Sequence, residues 1–503
     1  VGSDAMFANT TGGYNTAVGR SALLANTTGG NNTAVGAYAL QANTTGIQNT
    51  AVGYNALYTN TTSSYCTALG REALFWNSTG ASNTAVGTDA LQSNTTGNYN
   101  TAVGHDCLDA NSTGDDNTAV GYNALGANTT GAQNVAVGRG ALDANTTAND
   151  NVAIGHAALT TNTTGTRNVG VGRDALALNT TGSYNTAVGS YALVDNTTGA
   201  QNTAVGDVSL YDNTTGINNT AVGHIAQYLG TTGSNNTSVG HRAGRANTVG
   251  NDNVAVGHYA LDANTASDTV GVGNSALYSN TTGLRNTAVG HRALALNTTA
   301  SYNVAVGNYA LDLNTGEGNT ALGYNAGGIV STGYENVMVG SRAGEAVTTG
   351  HKNILIGHDA GGAITTGAKN VVIGYDAANY EGNDLTTGEN CTIIGSYNRV
   401  SASDTLQEKI LGYYVMGASN SFTFGNGATD SRISDGGTSI TAPSDVRLKE
   451  EIEDEKVGLD FINELRPVTF RWKKEKDVPV DLNAHGSGSE KRVMNGKYNH
   501  GFI

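Results

Sequence analysis

Ser444 and Lys449 stand five residues apart in the run Pro443-Ser444-Asp445-Val446-Arg447-Leu448-Lys449. A serine hydroxyl is a weak nucleophile until a neighbouring base takes its proton, and a desolvated lysine can be that base. Five residues let the two side chains meet across a turn or at the start of a helix. On spacing alone the same residues read as a helix N-cap and a solvated surface charge. A second set lies far upstream. The residue after a recurring Gly is Arg20, Tyr54, Arg71, His105, Tyr122, Arg139, His156 or Arg173, and then His224, His241 and His258 in succession. Tyr, Arg and His in one exposed column suit glycan stacking or an anion groove. Tyr54, Tyr122, His224, His241 and His258 are therefore candidate glycan contacts, against the plainer reading of a polar turn face.

Other chemistry is thinner. A single straight column offers poor tetrahedral geometry, so no metal site is expected. Asp115-Asp116-Asn117 and Asp252-Asn253 are too irregular to predict calcium. Phosphate loops, zinc spacings and a Ser-His-Asp set are missing from the sequence, so no cofactor is expected. Asn-x-Thr/Ser acceptors recur through Asn26, Asn43, Asn60, Asn94 and Asn128. They could carry a regular sugar coat, or be a turn ladder that spells the acceptor pattern. Cys66, Cys107 and Cys391 read as occupying different columns in distant coils, so no intrachain disulfide follows.

The elements that must hold these residues come from a repeat. Gly after an apolar pair recurs every 17 residues from Gly2 through Gly19, Gly36 and Gly53 to Gly257, then at Gly273, Gly290, Gly307, Gly323, Gly340, Gly357, Gly374 and Gly395. A unit this short cannot bury a face alone and must stack on its neighbours. The columns of Thr16 and Val18 lie two residues apart and become Val, Ile or Leu in many units, so in a strand they read as one inward apolar face. The Ala17 column between them reads as an outer surface that a second chain approaches closely. Ala22-Leu23 reads as a second short strand and Asn26-Thr27-Thr28-Gly29 as a corner. Stacked at about 4.8 Å, some two dozen coils would make a rod of roughly 115 Å.

From about residue 324 the pattern shifts. The corner becomes Val330-Ser331-Thr332-Gly333, Leu after Ala becomes Gly (Gly327, Gly344, Gly361), and the small column fills with Met338, Leu355, Val372 and Ile393. Volume moves between columns, which predicts a changed cross-section. Residues 396–443 break the period and read as a β-rich neck, with a strand at Ser421–Gly425.

Composition bounds the possible functions. The chain has 503 residues, 69 Gly, 3 Pro and a net charge of −15. Of that charge, −14 falls before Ser444, while the final 60 residues carry 23 of the 67 charged side chains. An acidic chain without clustered Lys and Arg is a poor nucleic-acid partner. No apolar run approaches the ~18 residues that span a membrane. No carboxylate pair stands out to suggest a glycosidase. Val1–Met6 already matches the interior of a unit, so further coils or an attachment domain are expected upstream.

Three blocks occur in order at the C-terminal end: Ser444–Lys449, Leu465-Arg466-Pro467-Val468-Thr469-Phe470-Arg471-Trp472, and His500-Gly501-Phe502-Ile503. They closely resemble the C-terminal intramolecular chaperone of phage tailspikes, tail fibres and endosialidases. The resemblance implies an α/β domain that trimerises, templates folding of the β-rich stalk, and cuts itself off immediately before the Ser. It implies Ser444 as nucleophile and Lys449 as base, with Asp445 and Arg447 completing the motif. The family's domain continues beyond its Gly-Phe-Ile block, so residues 444–503 read as its N-terminal part. The solenoid repeats are similar to the head repeats of trimeric autotransporter adhesins, although the period differs.

The expected protein is thus all-β. It is a parallel β-solenoid of about 24 coils over residues 1–395, homotrimeric, followed by a neck over 396–443 and a truncated α/β chaperone domain over 444–503. As a phage tail fibre or tailspike shaft it would work outside the cell, on the virion, against a host-surface glycan. A bacterial surface adhesin or appendage is the alternative. An ice-binding solenoid is a third reading, since Thr ladders on a flat β-face can order water.

Overall fold

A three-residue strand recurs once per coil, beginning with Thr16–Val18, Thr33–Val35 and Thr50–Val52. The computed structural model describes residues 2–380, 382–427, 430–437, 467–470 and 499–502. Each strand pairs in parallel with the next in exact column register, Thr16 with Thr33, Ala17 with Ala34, Val18 with Val35. The result is a 26-stranded sheet along one wall of a parallel β-solenoid of about 24 turns. No helix long and apolar enough to cross a membrane occurs among the described residues.

The faces of the strand are the reverse of the expected ones. Ala34, Ala51 and Ala68 at strand centres are fully buried, whereas Val18 is 44% and Leu69 47% exposed. The reason is the width of the coil. The Ala22 and Leu23 columns line the opposite wall and are also fully buried. At Gly170, a strand centre, an added Cβ would already lie 3.4 Å from Leu159. The lumen therefore admits one leucine per coil and only a methyl opposite it. The Ala column closes the core of its own chain, and the Thr and Val columns face outward.

The Ala22-Leu23 segment is not a second strand. Ser21 and Leu23 are left-handed at φ 55 and 52, and this repeats in nearly every coil. A left-handed backbone costs a non-glycine residue about 1–2 kcal/mol, which burial of the Leu side chain, worth about 1.5–3 kcal/mol, offsets. Coil-to-coil bonding persists without strand geometry, for Leu23 N donates to Ala39 O at 3.0 Å. Glycine is obligatory after the strand: at Gly19, with φ 135, a Cβ would sit 2.4 Å from the Gly36 carbonyl oxygen.

Two asparagine ladders finish the interior. Asn43 Nδ2 donates to Asn26 Oδ1 at 2.7 Å and to Gly46 O at 3.0 Å. Asn49 N donates to Asn32 Oδ1 at 2.9 Å, while Asn49 Nδ2 reaches Ser63 O. These amides are buried but bonded, which is the condition on which a polar core is tolerated. Beyond Asn314 the first ladder ends, and Val330, Val347, Ile364 and Leu385 take its column, all fully buried.

The sheet does not stop at Gly395. Lys409–Gly412 pairs in parallel with Thr392–Ile394, and Ser421–Gly425 in parallel with Lys409–Gly412. Ser431–Ser434 then turns back antiparallel on Ser421–Gly425. The chain divides into two compact units, Val1–Ala442 and Pro443–Ile503. In the second, Pro467–Phe470 pairs antiparallel with Asn499–Phe502, setting Val468 opposite Gly501. Two of the three C-terminal sequence blocks are thus joined in one small sheet.

Candidate ligand-binding ridge

The residue after each strand-ending Gly emerges from the coil where the chain leaves the sheet, so this column stands on an outer edge. Tyr54 and Tyr122 are half exposed. His224, His241 and His258 form a continuous stack, with ring centroids 5.4 and 5.1 Å apart. Tyr122 stacks on His105 at 5.8 Å. The rod thus gathers all five candidate glycan contacts in one column, in separate stretches rather than one site.

Sequence reasoning missed the two columns beside it. The second residue after the Gly is held left-handed, which swings its side chain alongside the first column. Here Arg242 lies 4.7 Å over Tyr259, Arg20 4.4 Å over Tyr38 and Arg173 5.3 Å over Tyr191. The residue after the buried Leu completes the ridge, with Tyr58 stacked on Phe75 and Tyr211 on Tyr228, each at 5.1 Å. A cleft of about 440 Å³ opens among Tyr259, Ser275, Tyr278, Arg292 and Leu296. Aligning every column, and not only the one after Gly, would have found it.

Charges on the ridge are mostly paired. Asp262 is almost fully buried and accepts from both Arg242 and Arg245, with N–O distances of 2.9–3.2 Å. Burial of its ring, then the neighbouring His258, His224 and Arg242, hold His241 below the usual histidine pKa. Burial raises Asp109, and the nearby Asp106 adds to the shift.

The objection to metal from a single column does not extend to two columns. His105 with Asp89 and Asp106, and His358 with Asp359 and Asp376, bring one ligand atom each to within 4.8 Å of one another. These are the described residues that could hold a cation. In both groups an arginine already claims a carboxylate, Arg71 on Asp89 at 2.7 Å and Arg342 on Asp359.

The glycosylation candidates are placed differently from the ridge. Asn26, Asn43, Asn60, Asn94 and Asn128 are fully buried. Each Nδ2 donates to the Asn of the preceding coil and to a corner carbonyl, as in Asn128 to Asn111 Oδ1 and Gly131 O, both 2.9 Å. The nitrogen that a glycan would occupy is spent inside the coil, so the acceptor reading gives way to the turn-ladder reading. Cys66 and Cys391 share the inner Asn column, contrary to their assignment to different columns, and Cys107 sits in the Ala22 column. All three are free and buried. Burial pushes Cys107 up to about 12 and Cys391 to about 11, so neither is a thiolate at neutral pH.

Ser444, Asp445, Arg447 and Lys449 lie outside the described residues. Residues 444–493 match a family model described as the chaperone of endosialidase. No curated protein and no solved structure matches the chain.

Proposed function

We propose that the chain is the shaft of a homotrimeric extracellular fibre, a phage tail fibre or tailspike, that folds under a C-terminal chaperone and reaches toward a host-surface glycan. One observation carries the proposal: the chaperone-of-endosialidase match begins at residue 444, downstream in the chain of a parallel β-solenoid of about 24 turns. Domains of that family act in trimerisation. A stack of coils with a narrow lumen suits mechanical reach, and the aromatic ridge suits adhesion. The alternative, a bacterial surface adhesin, would carry a secretion signal upstream of Val1 where a tail fibre would carry an attachment domain.

Self-cleavage is the single reaction assigned. Ser444 Oγ would attack the Pro443 carbonyl carbon while Lys449 accepts the hydroxyl proton. The Ser444 nitrogen leaves as an amine, taking a proton, and water hydrolyses the resulting ester to free both chains. Expressed with its native downstream gene sequence, the protein should release a fragment beginning at Ser444. Ser444→Ala should remain one band. An uncleaved parent would count against the reaction.

One observation favours ice binding as a second reading: Thr16, Thr33, Thr50, Thr67, Thr84, Thr101 and Thr118 form an unbroken outward column. Thermal hysteresis in solution tests it directly.

A further inference from the structure

Two coils are a residue short, and one of them opens a notch. The strand spacing falls from 17 to 16 between Val254 and Val270 and again between Val304 and Thr320. The corner of the second short coil is Asn314-Thr315-Gly316-Glu317-Gly318-Asn319. Coil-to-coil bonding survives the deletion: Gly318 N donates to Ser301 O at 3.1 Å and Glu335 N to Glu317 O at 3.0 Å. What is lost is a side chain. In this corner column Tyr302 precedes Gly318 and Glu335 follows it, so one rung is bare. A cleft of about 410 Å³ results, lined by Tyr302, Thr315, Glu317, Gly318, Tyr334 and Glu335.

The walls of this cleft are aromatic and braced from outside. Tyr334 stacks on His351 at 4.7 Å with the rings 10° apart, and Lys352 lies 5.8 Å over it. Arg285 lies 5.8 Å over Tyr302 from the preceding coil and donates to its hydroxyl. The braces sit on the coils away from the notch, and both tyrosines line the cleft. Tyr302 is 55% exposed. The two tyrosines are two coils apart, an axial rise of about 9.6 Å at the usual strand spacing, and stand in adjacent corner columns, Tyr302 with Gly318 and Glu335, Tyr334 with Ser301 and Glu317. A pyranose ring in van der Waals contact on both faces spans only roughly 7–8 Å, so it fits the cleft and stacks on one tyrosine at a time. Glu317 and Glu335 stand at the bare rung as acceptors for hydroxyl donors, and Glu335 is also anchored by Lys352 at 3.6 Å. The other short coil has Asp252, Asp268 and Arg285 in this column, so the deletion alone does not make the aromatic slot.

We propose that the notch at Gly318 is a carbohydrate subsite for a neutral pyranose unit of a surface polysaccharide, and that Glu317 and Glu335 exclude acidic sugars. It deepens and rests on the host-glycan reading, but at residues separate from the His and Tyr ridge. The full chain, titrated by saturation-transfer NMR with oligosaccharides of mannan, galactan and dextran, should bind at least one of them and bind polysialic acid at least tenfold more weakly. Gly318→Tyr supplies the missing rung. Tyr302 and Tyr184 hold the same left-handed φ, 63 and 62 against 69 at Gly318, and an added Cβ would meet only Glu335, at 3.5 Å. The plugged variant should therefore fold and lose at least tenfold in affinity. Tyr302→Ala should lose as much.

Neutral-sugar binding that survives in Gly318→Tyr would overturn the subsite while leaving glycan adhesion standing. Equal binding of polysialic acid would overturn the assigned selectivity. If none of the three neutral probes bound, the proposal would fall. Acidic-glycan binding by the same protein would then show whether adhesion itself still held.

Discussion

At the scale of single residues, the histidine stack is the part of the ridge that answers to pH. His241 lies between His224 and His258, with Arg242 and Tyr259 beside it and Asp262 as a nearby countercharge. Its folded pKa is depressed, so the unfolded chain takes up the proton first. The stability it contributes is present above the ordinary value of about 6.5 and is lost as pH falls below that toward the folded pKa. Amides of the coils around residues 224–258 should therefore show lower protection factors at pH 5 than at pH 7, once the base-catalysed change in intrinsic exchange is divided out. His241→Asn, a residue the same column accepts at Asn274 and Asn308, should flatten that difference. An unchanged pH dependence in the variant would mean that other groups set it.

The coil is the next scale, and its core shows two ways of filling one space. In most of the shaft a left-handed Leu meets a strand-centre Ala. Toward the C-terminal end Gly344 meets Leu355 instead, and a Cβ on Gly344 would lie 2.6 Å from Leu355 Cδ1. Gly327 stands in the same relation to Met338, at 2.7 Å from its Cε. Glycine there also removes the left-handed penalty that Leu bears. Gly344→Leu alone should overpack, costing about 1–3 kcal/mol. Leu355→Ala alone should leave a cavity, costing about 2–5 kcal/mol. The double variant relieves the Leu355 contact but keeps Met338, 3.0 Å from an added Cβ, so it should recover part of the loss, a coupling readable from hydrogen exchange of the surrounding amides. Additive losses would mean that the two columns do not share a lumen.

This exchange also marks what the sequence could and could not reveal. The period, the corner and the paired change from Leu to Gly and Ala to Met were legible, because stacking forces each column to vary as a unit. Which column faced inward was not. Alternation places Thr16 and Val18 on one side of the strand and Ala17 on the other, but it carries no sign. Hydrophobicity pointed to the Val side, while the lumen, already filled by Leu23, had room only for Ala. The ridge was half legible for a related reason. The side chains of Arg242 and Tyr259 are brought beside the His column by a left-handed turn that no residue type announces, since Leu, Tyr, Arg and Asp all occupy such positions. The notch was visible only as a shortened coil with Gly318 in a column that carries side chains on either side of it.

At the scale of the molecule, the inverted strand changes how three chains would meet. The Ala column, being internal, is unavailable, and the outer face of the sheet takes its place. That face presents Leu69, Ile154 and Leu322 among the exposed large apolar residues, with Thr or Val two positions earlier. It is in register along the shaft, and its strands from Thr16 to Ile394 lack the Arg, His and Asp of the ridge. Three copies held together by a C-terminal trimerising domain would each have this one apolar stripe to bury. A charge set into such a contact would be buried without a partner, at a penalty of several kcal/mol per ion. On a free surface the same charge would change little. Ile154→Lys combined with Val188→Lys and Val289→Lys should therefore leave the β-sheet circular dichroism intact while shifting the sedimenting species of the full chain from trimer to monomer. The matching changes on the ridge, Tyr54→Lys and Tyr122→Lys, should leave the trimer unchanged. If the stripe variants sedimented as trimers and the ridge variants did not, the chains would meet through the ridge, and the outward Thr and Val face would be left open to solvent.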